Sequence, residues 1–156
     1  LVSSLQPNLL KAIQENITHH TKLRFFEWGR VWHEQQEVHE KQVVSGILFD
    51  QEKTIDFYEG KSIVTQIAHL FALSFEWKQD AQPRYPWLMP YKSATIWYQN
   101  QQIGILGEVD ALWLKKLVPN GSAIIFELDA DFLQQIKKEL PRYTPPSKYP
   151  EVERDI

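Results

Sequence analysis

Apolar residues alternate with polar or exposed positions on both sides of Asn100-Gln101: Ala94, Ile96 and Tyr98 precede it, and Ile103, Ile105, Gly107 and Val109 follow it. A two-residue period places one set of side chains on a single face of an extended strand, which a helix does not do. With a short polar break to make the turn, Ala94–Val109 is predicted as a β-hairpin. The rest of the chain has to cover that hairpin's apolar face.

Helical spacing governs two other stretches. Leu5, Leu9, Ile13 and Ile17 form a stripe that Leu10 widens, and Ser4 with Pro7 suits the start of a helix running over residues 6–19. Ile63, Val64, Ile67, Leu70 and Phe71 mark a second helix, with Asp56 as its cap. The aromatic, β-branched run Leu23–Trp32 and the run Val43–Phe49 are predicted as an antiparallel pair joined by a polar loop, Glu34–Lys41. A short strand at Phe75–Trp77 leads to a proline-bearing loop at Gln82–Pro90, where regular pairing is not expected. Asp110–Val118 reads as a short helix, Ala123–Leu128 as a buried strand and Asp129–Leu140 as a last helix. Hairpin-joined strands with helices before and between them predict an α+β fold with a largely antiparallel sheet.

The chain of 156 residues, 43% hydrophobic and 13% aromatic, suffices to fill one core. It has no cysteine, which excludes disulfides and thiolate metal sites. A net charge of -3 gives no overall basic field for nucleic acid, so any RNA contact is expected to be local. No apolar run reaches the ~20 residues of a membrane-spanning helix, and neither a membrane partner nor a secreted protein is expected.

Five segments resemble, in order, the core domain of the beta chain of bacterial phenylalanyl-tRNA synthetases: Ser3–Asn16, Phe25–Trp32 (FFEWGRVW), Ile103–Asp110 (IGILGEVD), Phe126–Asp129 (FELD) and Ser147–Ile156 (SKYPEVERDI). Between them, Met89–Ala94 reads MPYKSA where the family more often has His-Pro-Gly-Arg-Ser-Ala. The resemblance implies a class II synthetase-like antiparallel sheet flanked by helices. It implies a non-catalytic module that supports a catalytic alpha chain in a heterotetramer, in the cytoplasm. The parent enzyme uses ATP and Mg²⁺ to join phenylalanine to tRNA(Phe), reaching the tRNA mainly through other domains; no cofactor is expected on this chain. Residues 1–142 would be the core domain, and 143–156 a linker and the first strand of a ferredoxin-like anticodon-binding domain. That tail is not expected to order by itself. Leu5, Leu9, Leu10, Ile13 and Ile17 are expected to offer surplus apolar surface to the alpha chain.

The chemistry agrees with a non-catalytic reading. Adenylate formation needs cations aimed at a triphosphate, and class II enzymes place one arginine in an Arg-x-Glu strand and another after a Gly-x-Gly-x-Gly run. Here Arg24 and Glu27 are spaced to opposite strand faces, and Gly104-Ile105-Leu106-Gly107 ends in the anion Glu108. Arg30 is expected to be solvated or paired, and Gly104 and Gly107 to permit a bulge or close helix packing. His19, His20, His33 and His39 lack metal-ligand spacing, so no metal site is expected. Lys137, Lys138, Arg142 and Lys148 form a weak basic cluster, a solvated helix end by default and a tRNA backbone contact otherwise. The tryptophans are expected in the core or at a subunit interface. Two other readings compete: an active class II paralogue using Arg24 or Arg30, and an independent binding domain with an aromatic face.

Overall fold

The structure, a computed structural model, describes residues 2–35 and 37–136. In chain order the elements are α1 (Gln6–Asn16), β1 (Lys22–Gln35), β2 (Glu37–Asp50), α2 (Phe57–Leu70), β3 (Glu76–Asp80), β4 (Leu88–Tyr98), β5 (Gln101–Val109), α3 (Ala111–Leu114), β6 (Ser122–Asp129) and α4 (Ala130–Gln135). All strands join one six-stranded antiparallel sheet in the order β1-β2-β6-β5-β4-β3, which is the expected α+β arrangement.

Helices cover both faces, and strand alternation sorts the core into two layers. Ile47, Phe49, Ala123 and Ile125 meet Leu9, Leu10 and Ile13 of α1 and Leu114 of α3. Their neighbours Leu48, Ile124, Phe126 and Leu128 meet Val64 and Ala68 of α2 and Leu133 of α4. Central β6 is therefore buried at every position after Ser122, packed from both sides, with Ala123–Phe126 as a continuous apolar run. Each fully buried Ile or Leu contributes roughly 1.5–3 kcal/mol relative to exposure.

Asp56 caps α2 as expected: its carboxylate accepts from the Tyr58 N–H at 2.9 Å, and Glu59 reaches back to the Asp56 N–H at 3.3 Å. Asp110 and Asp129 cap α3 and α4 in the same way. α1 stops at Asn16, short of the expected His19; at its start Ser4 Oγ accepts from the Gln6 N–H at 3.1 Å and Pro7 lies in the first turn, as expected.

Three local expectations are corrected. The hairpin turn sits one residue earlier than expected, at Gln99-Asn100, where both residues adopt positive φ (47° and 65°). Such a pair of left-handed residues matches the strand twist across a tight turn. The polar stretch Glu34–Lys41 is largely strand rather than loop, with pairing carried out to Gln35↔Glu37. β2 pairs with β6 only from Val43 onward, so the distal β1–β2 hairpin is a two-stranded arm with no third strand to bury it. Polar side chains suit that arm, and they masked its periodicity. Pro90 lies inside β4, at the irregularity between Leu88 and Ser93 where a missing N–H breaks no ladder bond.

Candidate functional site

Of the two arginines that could carry adenylate chemistry, Arg30 is ion-paired, and Arg24 borders the depressions between β1 and α2. Arg30 Nη1 lies 3.1 Å from Glu40 Oε1 across the β1–β2 pair. Glu108, at the end of the glycine-bearing strand, accepts from Lys92 Nζ at 2.9 Å. A Cβ on Gly104 would stand 2.6 Å from the Glu127 carbonyl oxygen, and one on Gly107 2.7 Å from Ser93 Oγ. Gly104 stands beside a register shift in the β4–β5 pairing, as expected of a bulge, while both glycines are packed against neighbouring strands rather than against a helix, and their space is filled by the protein itself. Among the described residues no group of three His, Cys, Asp or Glu is placed to hold a metal. No helix among them is long and apolar enough to cross a membrane.

Leu5, Leu9, Leu10 and Ile13 are buried within the chain, and Ile17 is half-buried against the same core. The surplus apolar stripe expected on this helix is therefore not available to a partner. The reason is geometric: α1 lies across β1, β2 and β6, a broader platform than its stripe needs, and Leu5 closes against Val31 and Val43. Lys137, Lys138, Arg142 and Lys148, the domain boundary at 142/143 and the tail lie outside the described residues.

What stays uncovered is the other face of β1. Phe26 is 79% exposed and Trp28 50%, and period 2 puts them on one face with Arg24 and Arg30. α2 packs over β5 and β6 and stops short of β1. An apolar cleft of about 330 Å³ remains between the sheet and α2, bounded by Arg24, Phe26, Val44, Leu48, Ile63 and Ile67. Arg24 and Phe26 head the strand segment where β1, an edge of the sheet, pairs on one side only. The Trp28 indole is held by a 3.0 Å bond to Gln42 Oε1. Sequence reading missed this surface because LRFFEWGRVW looks like a core strand; only the placement of α2 leaves half of it bare.

Behind that strand, Glu127 holds the start of α1. Its Oε2 accepts from Ser4 Oγ at 2.8 Å and from the Leu5 N–H at 3.0 Å. Burial pushes the Glu127 carboxyl above its usual range, against the opposing pull of those two hydrogen bonds and of Arg84 and Lys41. Trp87 Nε1 donates to Gln6 Oε1 at 2.7 Å, and Trp87 stacks on Tyr85 with centroids 4.9 Å apart. These groups fix α1 on the sheet and present no nucleophile or paired acid and base.

The fold and the site define an antiparallel α+β sheet domain whose hairpin glycines are filled by its own packing and whose Arg30 is ion-paired at the surface, with one aromatic edge face left open. The family model for the phenylalanyl tRNA synthetase beta chain CLM domain matches residues 1–130, and the chain belongs to that family. Among similar proteins are the phenylalanine–tRNA ligase beta subunits of Carboxydothermus hydrogenoformans, 30% identical over 99% of this chain and 21% of that protein, and of Francisella tularensis, 32% identical over 98% and 20%. That of Thermotoga maritima is 24% identical over 96% of this chain and 20% of its own length. The chain thus spans about a fifth of the length of the relatives it matches.

Proposed function

We propose that this chain is the non-catalytic core module of a phenylalanine–tRNA ligase beta subunit, a class II synthetase-like sheet that supports the alpha subunit. In that reading the assembled enzyme attaches phenylalanine to tRNA(Phe) in the cytoplasm, using ATP and Mg²⁺ held by the alpha subunit. The uncovered β1 face, with Phe26 79% exposed, carries the proposal and takes the interface role first expected of α1. Large apolar side chains grouped beside a cleft mark protein interfaces. Residues 143–156 lead, on this reading, into an anticodon-binding domain, and Lys137, Lys138, Arg142 and Lys148 add a local attraction for tRNA backbone.

The Arg30–Glu40 and Lys92–Glu108 pairs argue against the active-paralogue alternative, because a triphosphate would have to displace a carboxylate at each. Calorimetric titration with ATP and Mg²⁺ tests this. No heat of binding is expected up to millimolar nucleotide; micromolar saturable binding lost in Arg30→Ala would overturn the non-catalytic role.

A further inference from the structure

On the α1 face of the sheet, across from Phe26 and Trp28, a cleft of about 380 Å³ opens beside the start of α1. β6 gives it Glu127 and Asp129, β2 gives Lys41 and Val43, β5 gives Ile105, and Arg84 comes from the loop between β3 and β4. Both acids are nearly sealed, with Glu127 8% exposed and Asp129 7%. A buried carboxylate is costly unless a cation or hydrogen bonds replace the water it has lost.

The two acids differ in what answers them. Asp129 Oδ2 has Lys41 Nζ at 2.8 Å, and its Oδ1 accepts from the Phe132 N–H at 2.9 Å. Glu127 enters no ion pair among the described residues. Its hydrogen bonds from Ser4 and Leu5 both fall on Oε2, and among the described residues Oε1 accepts none. Nor is Oε1 sealed in, because Gln6 Nε2 is the one buried side-chain polar atom of the described residues left without a partner. Oε1 is thus an unused acceptor on a deeply buried carboxylate, open to the cleft that Glu127 lines.

Charge narrows what this acceptor can take. Glu127 and Asp129 are balanced in the lining by Lys41 and Arg84, with His39 as the remaining titratable group. A bare cation therefore gains little from the field of the cleft, and an anion such as phosphate gains no more. A zwitterion gains at both poles. Its ammonium donates to Oε1, and its carboxylate lies toward Lys41, whose side chain is 38% exposed and whose ammonium keeps donors beyond the one given to Asp129. Val43 and Ile105 offer apolar surface to a short carbon chain between the poles. We propose that this cleft binds a small free zwitterion, with its ammonium on Glu127 Oε1 and its carboxylate at Lys41. The inference is independent of whether the alpha subunit binds the β1 face, which lies across the sheet.

Titration of the amide and indole NMR spectrum at mildly alkaline pH, where the ionised form of Glu127 is favoured, tests this with glycine, β-alanine and γ-aminobutyrate. These differ in the number of carbons between the two poles. At least one should move the Lys41 and Ile105 amide signals saturably while the Trp28 indole signal, across the sheet, stays in place. Acetate and methylammonium carry one pole each and should bind about tenfold more weakly, or less. Glu127→Gln keeps an oxygen for Ser4 and Leu5 and turns an amide NH₂ to the cleft, so zwitterion affinity should fall about tenfold or more in a chain with the circular dichroism of the parent. Lys41→Met leaves Glu127 in place and gives an independent readout: the preference should turn from the zwitterion to methylammonium. No saturable shift with any of the three zwitterions would overturn the proposal and leave Oε1 to water. So would equal binding of methylammonium by the parent, undiminished binding in Glu127→Gln, or a Lys41→Met chain that still prefers the zwitterion.

Discussion

Ser4 Oγ donates to Glu127 Oε2 over 2.8 Å, joining residues 123 positions apart and setting the chain's first helix against its central strand. The same oxygen accepts from the Leu5 N–H, one of the donors that a helix start leaves unsatisfied. Leu5 at the N-cap has no capping side chain of its own, so the start of α1 is served by Ser4 Oγ, which accepts from the Gln6 N–H at 3.1 Å, and by the distant Glu127 carboxylate.

Because burial raises the Glu127 carboxyl above its usual range, the folded state holds that proton more tightly than the unfolded state. Its effect favours the fold most below the unfolded value. That effect is lost as pH rises towards the folded value, and is constant above it. Glu127→Gln keeps an acceptor for Ser4 and Leu5 without the charge. Its stability relative to the parent should therefore improve from acidic to alkaline pH. Urea unfolding at a series of pH values checks this; parallel curves for the two proteins would refute it.

Gly104 and Gly29 should respond differently to alanine. A Cβ at Gly104 meets the Glu127 carbonyl oxygen at 2.6 Å, whereas at Gly29 it meets only the Leu5 side-chain methyls, at 3.1 and 3.2 Å. Backbone moves less readily than a leucine tip, so Gly104→Ala should cost about 1–3 kcal/mol, and Gly29→Ala clearly less. Thermal unfolding of the two variants separates them.

At the β4–β5 turn, Gln99 and Asn100 both hold left-handed conformations, with φ 47° and 65°. Replacing the pair by Asn-Gly provides the residues such a turn favours, and should stabilise the fold by roughly 0.5–1 kcal/mol. A rise in the urea midpoint without a change of slope is the expected result.

The hairpin at Ala94–Val109 and the capped helix after Asp56 were legible because one face of each is buried, and burial writes its period into the sequence. The arm at Glu34–Lys41 was not, since a two-stranded ribbon in water has no apolar face to write. Glu127 lies in a run that reads as a buried strand, but nothing near it in sequence reveals that Ser4 and Leu5 are its partners. The α1 stripe shows a further limit. Its spacing identified the helix correctly, yet whether Leu5, Leu9, Leu10 and Ile13 are surplus depends on the width of sheet beneath them, which three distant strands determine. By the same logic Phe26 and Trp28 look like core residues until α2 is seen to cover β5 and β6 instead.

Solubility offers an independent view of the β1 face. Phe26→Ser with Trp28→Ser removes two large exposed rings and leaves the buried layer beneath untouched, so the unfolding free energy should change by less than about 1 kcal/mol. The variant also gives up the 3.0 Å bond from the Trp28 indole to Gln42. Light scattering at high protein concentration should show weaker self-association in the double variant.

The proposed role of this chain is that of a binding module for the ligase alpha subunit, acting through its β1 face. The most direct measurement is calorimetric titration of the chain into the isolated phenylalanine–tRNA ligase alpha subunit, with the parent and with the Phe26→Ser, Trp28→Ser variant. Saturable binding by the parent and at least a tenfold loss of affinity in the variant are expected, with both proteins equally folded by circular dichroism. Equal affinity of parent and variant would contradict it.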